Sequence, residues 1–219
     1  MKKTLIVAIV AAAAFIAGAD VVVAYWDFGP DAAGYTETVS IENAIGTPSL
    51  TGIASGTGYV AGGSAGVSFT DAAGGNHAAG QALSWASGVN DGDQAWVLGI
   101  NLTSYQDMTI RWDYRTTSTG PAGASLEYKV GAGLWTLIET ASFTRDSSYH
   151  EYVKDLSATS AIENQASVQF RLSNFTGGSG TGTYRQDNLQ IAAIPEPATL
   201  ALLGFGGLTA LVIRRAARQ

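Results

Sequence analysis

An alternation of apolar and polar residues in steps of two limits most strongly what this chain can fold into. Residues 110–115 alternate apolar with charged side chains, and residues 126–130 and 168–173 repeat the pattern. Successive side chains of a β-strand point to opposite faces, so each of these segments predicts a strand with one buried face. The segment 25–193 contains no comparable long amphipathic helical pattern. We therefore expect it to be all-β.

The spacing of these segments favours an antiparallel β-sandwich, specifically a jelly roll. About ten short strands, separated by turn signals every 8 to 15 residues or so, fit two packed sheets better than a closed barrel, which is the second interpretation. The tight turn Gly131-Ala132-Gly133 predicts a hairpin. The chain has no cysteine, so its core must hold without disulfides.

The N-terminus predicts a secretory signal peptide, assigned to residues 1–24. Lys2 and Lys3 precede an apolar run from Leu5 to Ala17. Two small-residue cleavage sites fit, one after Ala19 and one after Ala24, and the second is slightly preferred. A retained anchor is disfavoured because Asp20 interrupts the run, which is too short for the roughly 20 apolar residues of a membrane span.

The C-terminal segment 194–219 has three parts in a fixed order. Pro195, Glu196 and Pro197 end the last predicted strand, since proline donates no ladder hydrogen bond. Residues 198–213 carry no charge and predict one transmembrane helix about 24 Å long, which snorkelling arginines can extend. The basic tail of Arg214, Arg215 and Arg218 orients this end toward the cytoplasm, which leaves segment 25–193 outside as the ectodomain.

This tripartite segment resembles the PEP-CTERM sorting signal, although an ordinary C-terminal anchor is the simpler alternative. The resemblance implies an exosortase-type enzyme as a processing partner. The membrane anchor would then be transient, and the protein would be released to the cell surface or extracellular space of a bacterium that makes exopolysaccharide.

The segment 25–193 resembles the jelly-roll ectodomains of bacterial surface proteins, which are similar in architecture to concanavalin-like and carbohydrate-binding modules. The resemblance is based on residues 112–117, 126–130, 135–136, 170–172 and 184–189. In such modules, oxygen ligands near the first and last strands often hold a structural calcium. By this resemblance Asp27, Asp187 and Asn188 are candidate ligands, with the turn 91–93 as a further source. The alternative is that these side chains only cap loops and turns.

Candidate binding and catalytic residues are few. Most aromatic residues fall on the inward phase of strands, and Trp85 is the candidate carbohydrate-binding residue because its neighbours predict a loop. The Gly-x-Ser-x-Gly pattern at residues 62–66 lacks the helix that a nucleophile elbow needs, and only His77 and His150 could act as a base. No catalytic residue is therefore assigned.

The net charge of residues 25–194 argues against one further class of function, nucleic-acid binding. Residues 25–194 carry 16 acidic and 7 basic side chains, a net charge of 7 − 16 = −9, which argues against nucleic-acid binding. The sequence predicts an exported, non-catalytic cell-surface or extracellular-matrix protein associated with exopolysaccharide or biofilm. The alternatives are a secreted glycan-active enzyme and a purely structural matrix component.

Overall fold

The computed structural model describes residues 20–26, 39–40, 49–51, 68–70, 76–77, 82–85, 95–179 and 182–196. These contain thirteen strands and one short 3-10 helix, Ser160–Ile162. The strands are β1 Val21–Trp26, β2 Val39–Ser40, β3 Ser49–Thr51, β4 Phe69–Thr70, β5 Asn76–His77, β6 Leu83–Trp85, β7 Trp96–Ile100, β8 Tyr105–Thr116, β9 Gly123–Val130, β10 Thr136–Ser142, β11 Tyr149–Asp155, β12 Val168–Thr176 and β13 Tyr184–Pro195.

These strands form two main antiparallel sheets. One runs in the order β11-β8-β13-β1-β2, with β6 also paired to β13, and the other runs β10-β9-β12-β7-β3. A separate two-stranded sheet joins β4 and β5. The predicted all-β sandwich is confirmed, and the predicted hairpin is present because β9 pairs with β10 across the 131–133 turn.

The core lies between the two main sheets and takes the apolar side chains of the alternating segments. Trp112 of one sheet meets Trp96 of the other edge-on, with ring centroids 6.0 Å apart. The indole N–H of Trp112 donates to Tyr184 Oη at 3.1 Å, and that of Trp96 donates to Gln186 Oε1 at 2.9 Å. These aromatic residues are buried with their polar atoms bonded, so they form the core and offer no ligand surface.

Strand β1 begins inside the range 1–24 that the sequence assigned to the signal peptide. Val22, Val23 and Ala24 are buried, and the strand pairs along its length with the last strand, from Val21 opposite Ala193 to Trp26 opposite Leu189. At the other end, β13 extends to Pro195, two residues beyond the predicted end of the ectodomain. The sandwich thus spans Val21 to Pro195, and its first and last strands are hydrogen-bonded neighbours in one sheet.

The remaining predictions for the two ends lie outside the described residues. They concern the apolar leader before Asp20, Pro197, the helix at 198–213 and the three terminal arginines. Within the described part of the chain, no helix is long and apolar enough to cross a membrane.

Candidate functional site

The outer face of the five-stranded sheet presents a tryptophan among charged side chains. Glu127 and Lys129 of β9 lie opposite Arg171 and Gln169 of β12, and Trp135 lies just before β10. Their strand neighbours point the other way, into the core, as period-two alternation requires. We call these five residues the Trp135 face.

The indole of Trp135 is held in place by two cations. The guanidinium carbon of Arg171 lies 4.4 Å from the ring centroid, and the ammonium of Lys129 lies 4.8 Å from it. Both distances are within the range of cation–π attraction. Trp135 remains half-buried, so part of this residue is accessible to solvent.

The side chain of Arg171 is in turn positioned by a hydrogen bond to Glu127. Its Nε donates to Glu127 Oε2 at 2.6 Å, and the hydroxyl of Ser173 donates to the same oxygen at 2.7 Å. The hydrogen bond from Arg171 is the largest influence on the pKa of Glu127 and lowers it; burial opposes this shift, and Ser173 adds to it. Glu127 is therefore ionised at neutral pH, and the contacts from Ser173 through Glu127 and Arg171 to the indole limit the rotamers that these side chains can adopt.

The Lys129 ammonium and two exposed leucines also belong to the surface around Trp135. Among the described residues, Lys129 belongs to no ion pair. Leu134 and Leu137, on either side of Trp135, are 90% and 55% exposed. Gly131 has a φ of 54°, a left-handed conformation that most side chains disfavour, and it begins the turn that leads to the indole. The face therefore combines a flat apolar ring with hydrogen-bond donors beside it.

A second polar cluster lies in the six-stranded sheet, where the first and last strands meet. The Tyr25 hydroxyl donates to Asn188 Oδ1 at 2.6 Å, and Asn188 Nδ2 donates to Asp113 Oδ2 at 2.8 Å. The backbone N–H of Asn188 donates to Asp187 Oδ1 at 2.9 Å. Asn188 adopts a left-handed φ of 51°, which asparagine tolerates better than most residues. It thus joins three strands, β1, β8 and β13.

Burial is the largest influence on the pKa of Asp113, a carboxyl of this cluster, and raises it. The nearby charge of Glu151 also raises this pKa, whereas the hydrogen bond from Asn188 and the charge of Arg111 lower it. Asp187 and Asn188 are 1% and 2% exposed. An ionised Asp113 therefore depends on the Asn188 amide for its hydrogen bond.

The predicted calcium ligands are only partly described. Asp187 and Asn188 are adjacent and buried, but Asp27 and the 91–93 turn lie outside the described residues. Both atoms of the Asn188 amide already bond protein groups, and the described residues contain no cluster of three acidic or histidine side chains suited to a metal. Calcium needs six to eight oxygens. The described residues alone do not supply such a site, so the calcium prediction depends on Asp27 and the 91–93 turn.

The other candidate residues are separated in the fold. Trp85 belongs to β6 and pairs with Tyr184; the prediction for its side chain lies outside what the structure describes. His150 Nε2 lies 2.9 Å from Asp146 Oδ1, and its ring packs at a tilt against Tyr114, with ring centroids 5.6 Å apart. The Gly-x-Ser-x-Gly pattern at 62–66 is also outside the described residues.

Sequence reasoning missed Trp135. The residue selected from the sequence was Trp85, not Trp135, which precedes β10 and contacts the outward residues Lys129 and Arg171. The short turn before it was the available signal, because a hairpin turn sets which residues of the two strands share a face.

Comparison with known proteins identifies the C-terminal segment. Residues 193–216 match the PEP-CTERM protein-sorting motif. No curated protein matches the chain.

Several solved structures resemble the fold at low identity. The CBM22-1 xylan-binding domain of Paenibacillus barcinonensis Xyn10C is 14% identical with a TM-score of 0.40, over 81% of this chain and 97% of that one. The carbohydrate-binding module CBM6cm-2 from Cellvibrio mixtus lichenase 5A is 15% identical with a TM-score of 0.33, over 78% and 97%. The K3 adhesin domain of Lys-gingipain from Porphyromonas gingivalis is 13% identical with a TM-score of 0.34, over 53% and 75%.

The sorting motif and the fold together describe the protein at a coarse level. The predicted PEP-CTERM signal is confirmed at the position expected from Pro195 and Glu196. The chain is a secreted surface protein in which a PEP-CTERM sorting signal follows an antiparallel β-sandwich.

Proposed function

We propose that the exported sandwich binds an extracellular polysaccharide without cleaving it, and that the Trp135 face is the binding surface. The observation that carries this proposal is the half-buried indole of Trp135, held by Arg171 and Lys129 on the outside of a sheet. Export to the cell surface through the sorting signal would bring this face into contact with exopolysaccharide in a biofilm matrix.

The chemistry of the face suits a sugar ring. One side of a pyranose presents C–H groups that pack on a flat aromatic surface, while its hydroxyls bond to polar groups at the edge. Lys129 and Arg171 provide donors beside the indole, and Gln169 lies opposite Lys129 on the neighbouring strand. Because Glu127 and Arg171 already fix the surroundings of the ring, binding loses less side-chain entropy than binding to a free tryptophan.

The same residues argue against hydrolysis. A glycosidase needs two facing carboxyl groups, one with a raised pKa so that it can act as the acid. The Trp135 face carries one carboxylate, Glu127, and hydrogen bonds lower its pKa. A groove of about 390 Å³ beside β10 and β11 contains Asp155, whose pKa is lowered by hydrogen bonds from Ser157. A secreted glycan-active enzyme would require a carboxyl group with a raised pKa on this face or in this groove.

Processing at the C-terminus fits the end of the sandwich. Because β13 ends at Pro195, removal of the tail near residues 195–197 by an exosortase-type enzyme would leave the sheet intact. The helix at 198–213 then acts as a transient membrane anchor. Intact-mass measurement of the mature protein should show that Arg218 is absent.

Affinity electrophoresis of the exported protein tests the binding proposal. Gels containing exopolysaccharide should retard the wild type, and Trp135→Ala should reduce the retardation at least fivefold. Val153→Ala is the matched control, since Val153 is an apolar side chain 51% exposed on the other sheet. If Trp85→Ala reduces the retardation and Trp135→Ala does not, the assigned surface is wrong.

A further inference from the structure

The first strand indicates where the leader ends. We infer that the signal peptide is removed after Ala19, so that the mature chain begins at Asp20 and keeps the whole of β1. This conclusion does not depend on the proposed polysaccharide binding.

Local sequence permits two cuts. The triplets Ala17-Gly18-Ala19 and Val22-Val23-Ala24 both place tolerated small residues at the positions that signal peptidase reads. The second cut would remove Asp20 and four of the six residues of β1, whereas the first would leave β1 whole. The two sites therefore differ in what each cut does to the folded sandwich.

The later cut would remove most of a core strand. Val22 and Val23 are each 1% exposed, and Ala24 is completely buried. Val21 pairs with Ala193, Val22 with Ala192 and Ala24 with Ile191 in the last strand. Without them, buried apolar side chains of β13 lose their cover and its backbone loses hydrogen-bond partners on that side.

The position of the new amino terminus also favours the first cut. Asp20 is exposed and precedes the strand, so its ammonium group would lie in water. A cut after Ala24 would place that charge on Tyr25, which lies within the sheet between Gln190 of β13 and Ser40 of β2 and is 2% exposed. Taking an unpaired ammonium out of water is strongly unfavourable.

The retained strand also completes the polar cluster of the six-stranded sheet. Tyr25 donates its hydroxyl hydrogen bond to Asn188 from the middle of β1. The residues before it supply four of the six positions of the strand that holds this tyrosine against β13. A mature chain beginning at Tyr25 would have to keep this contact with Trp26 as the only other residue of β1.

N-terminal sequencing of the full-length gene product, expressed in an exporting bacterium and recovered from the cell surface or medium, tests the inference. We expect Asp20 as the first residue. Tyr25 as the first residue of the folded, exported protein would overturn the inference.

A pair of leader variants gives a second test. Ala19→Leu places a bulky side chain at the cleavage position and should cause uncut precursor to accumulate at least fivefold, whereas Ala19→Ser keeps a small residue and should mature normally. If Ala19→Leu instead yields wild-type amounts of stable exported protein beginning at Tyr25, the inference is wrong.

Discussion

Replacing Asn188 should destabilise the sandwich strongly, because its side chain joins buried groups of three strands. Asn188→Ala removes the hydrogen bond from Tyr25 at 2.6 Å and the one to Asp113 at 2.8 Å, both buried. It also places alanine at a left-handed φ of 51°. The partners left behind, a phenol and a carboxylate, are buried, so each loses a hydrogen bond at a cost that exposed groups would not incur.

The magnitude follows from these losses. The bond to Tyr25 is worth about 1 kcal/mol and the bond to the carboxylate about 1.5–3 kcal/mol, and left-handed strain adds about 1 kcal/mol. The free energy of unfolding should therefore fall by about 3.5–5 kcal/mol. With a slope of about 2 kcal/mol per molar urea, the unfolding midpoint should fall by about 1.7–2.5 M.

The pH dependence of a second variant makes the test more specific. Asn188→Asp places another carboxylate beside Asp113, whose pKa burial already raises, and like charges raise it further. A carboxyl pKa that is higher in the folded state means that folding takes up a proton. Stability then falls as pH rises above the ordinary value of 3.8. The deficit of Asn188→Asp should accordingly shrink on acidification from pH 7 toward pH 4.

Urea unfolding followed by tryptophan fluorescence measures both effects. Asn174→Ala is the matched control, because Asn174 also has a φ of 51° but is exposed. It should cost only the strain, about 1 kcal/mol, independent of pH. If Asn188→Ala costs no more than Asn174→Ala, or if the Asn188→Asp deficit does not change with pH, the assigned role of the cluster is wrong.

Two further predictions concern Glu127 and calcium. Glu127→Gln should cost about 1–2 kcal/mol at pH 7, because it loses charged bonds from Arg171 and Ser173. The lowered pKa of Glu127 means that the wild type has this stabilisation above the ordinary value of 4.5 and loses it as pH falls. The difference between the two proteins in urea melts should therefore vanish in acid; a constant difference would contradict the assignment. The calcium prediction places Asp27 with Asp187 and Asn188, with the turn 91–93 as a further source of ligands, so calcium should raise the Tm of the wild type and raise that of Asp27→Ala less. Absence of heat in a calorimetric titration of the metal-free protein would refute it.

Alternation predicted the strands and most of the core because it reflects a local property of the backbone. Ile110, Trp112 and Tyr114 face inward as expected. Alternation did not predict which residues of β10 face outward, because the pairing of β10 with β9 shifts register between Leu137 and Glu139. A bulge changes which residues face outward, so the surface around Trp135 could not be read from alternation alone.

The boundary of the first strand was missed for a different reason. A signal peptide and a buried strand are both apolar, so the runs before and after Asp20 look alike, and this one charged residue is the mark in the sequence of where β1 begins. The hydrogen bond between Tyr25 and Asn188 joins residues 163 positions apart. Only the pairing of the first strand with the last brings such residues together.

The central claim is that the Trp135 face contacts the polysaccharide, and the indole N–H signals in a nuclear magnetic resonance titration test it most directly. The protein has five tryptophans, and the Trp135 signal can be identified by its loss in Trp135→Phe. Adding exopolysaccharide should shift the Trp135 signal, while those of Trp96 and Trp112 stay in place because their N–H groups are buried and bonded within the core. A bound polysaccharide that leaves the Trp135 signal unchanged would contradict the account.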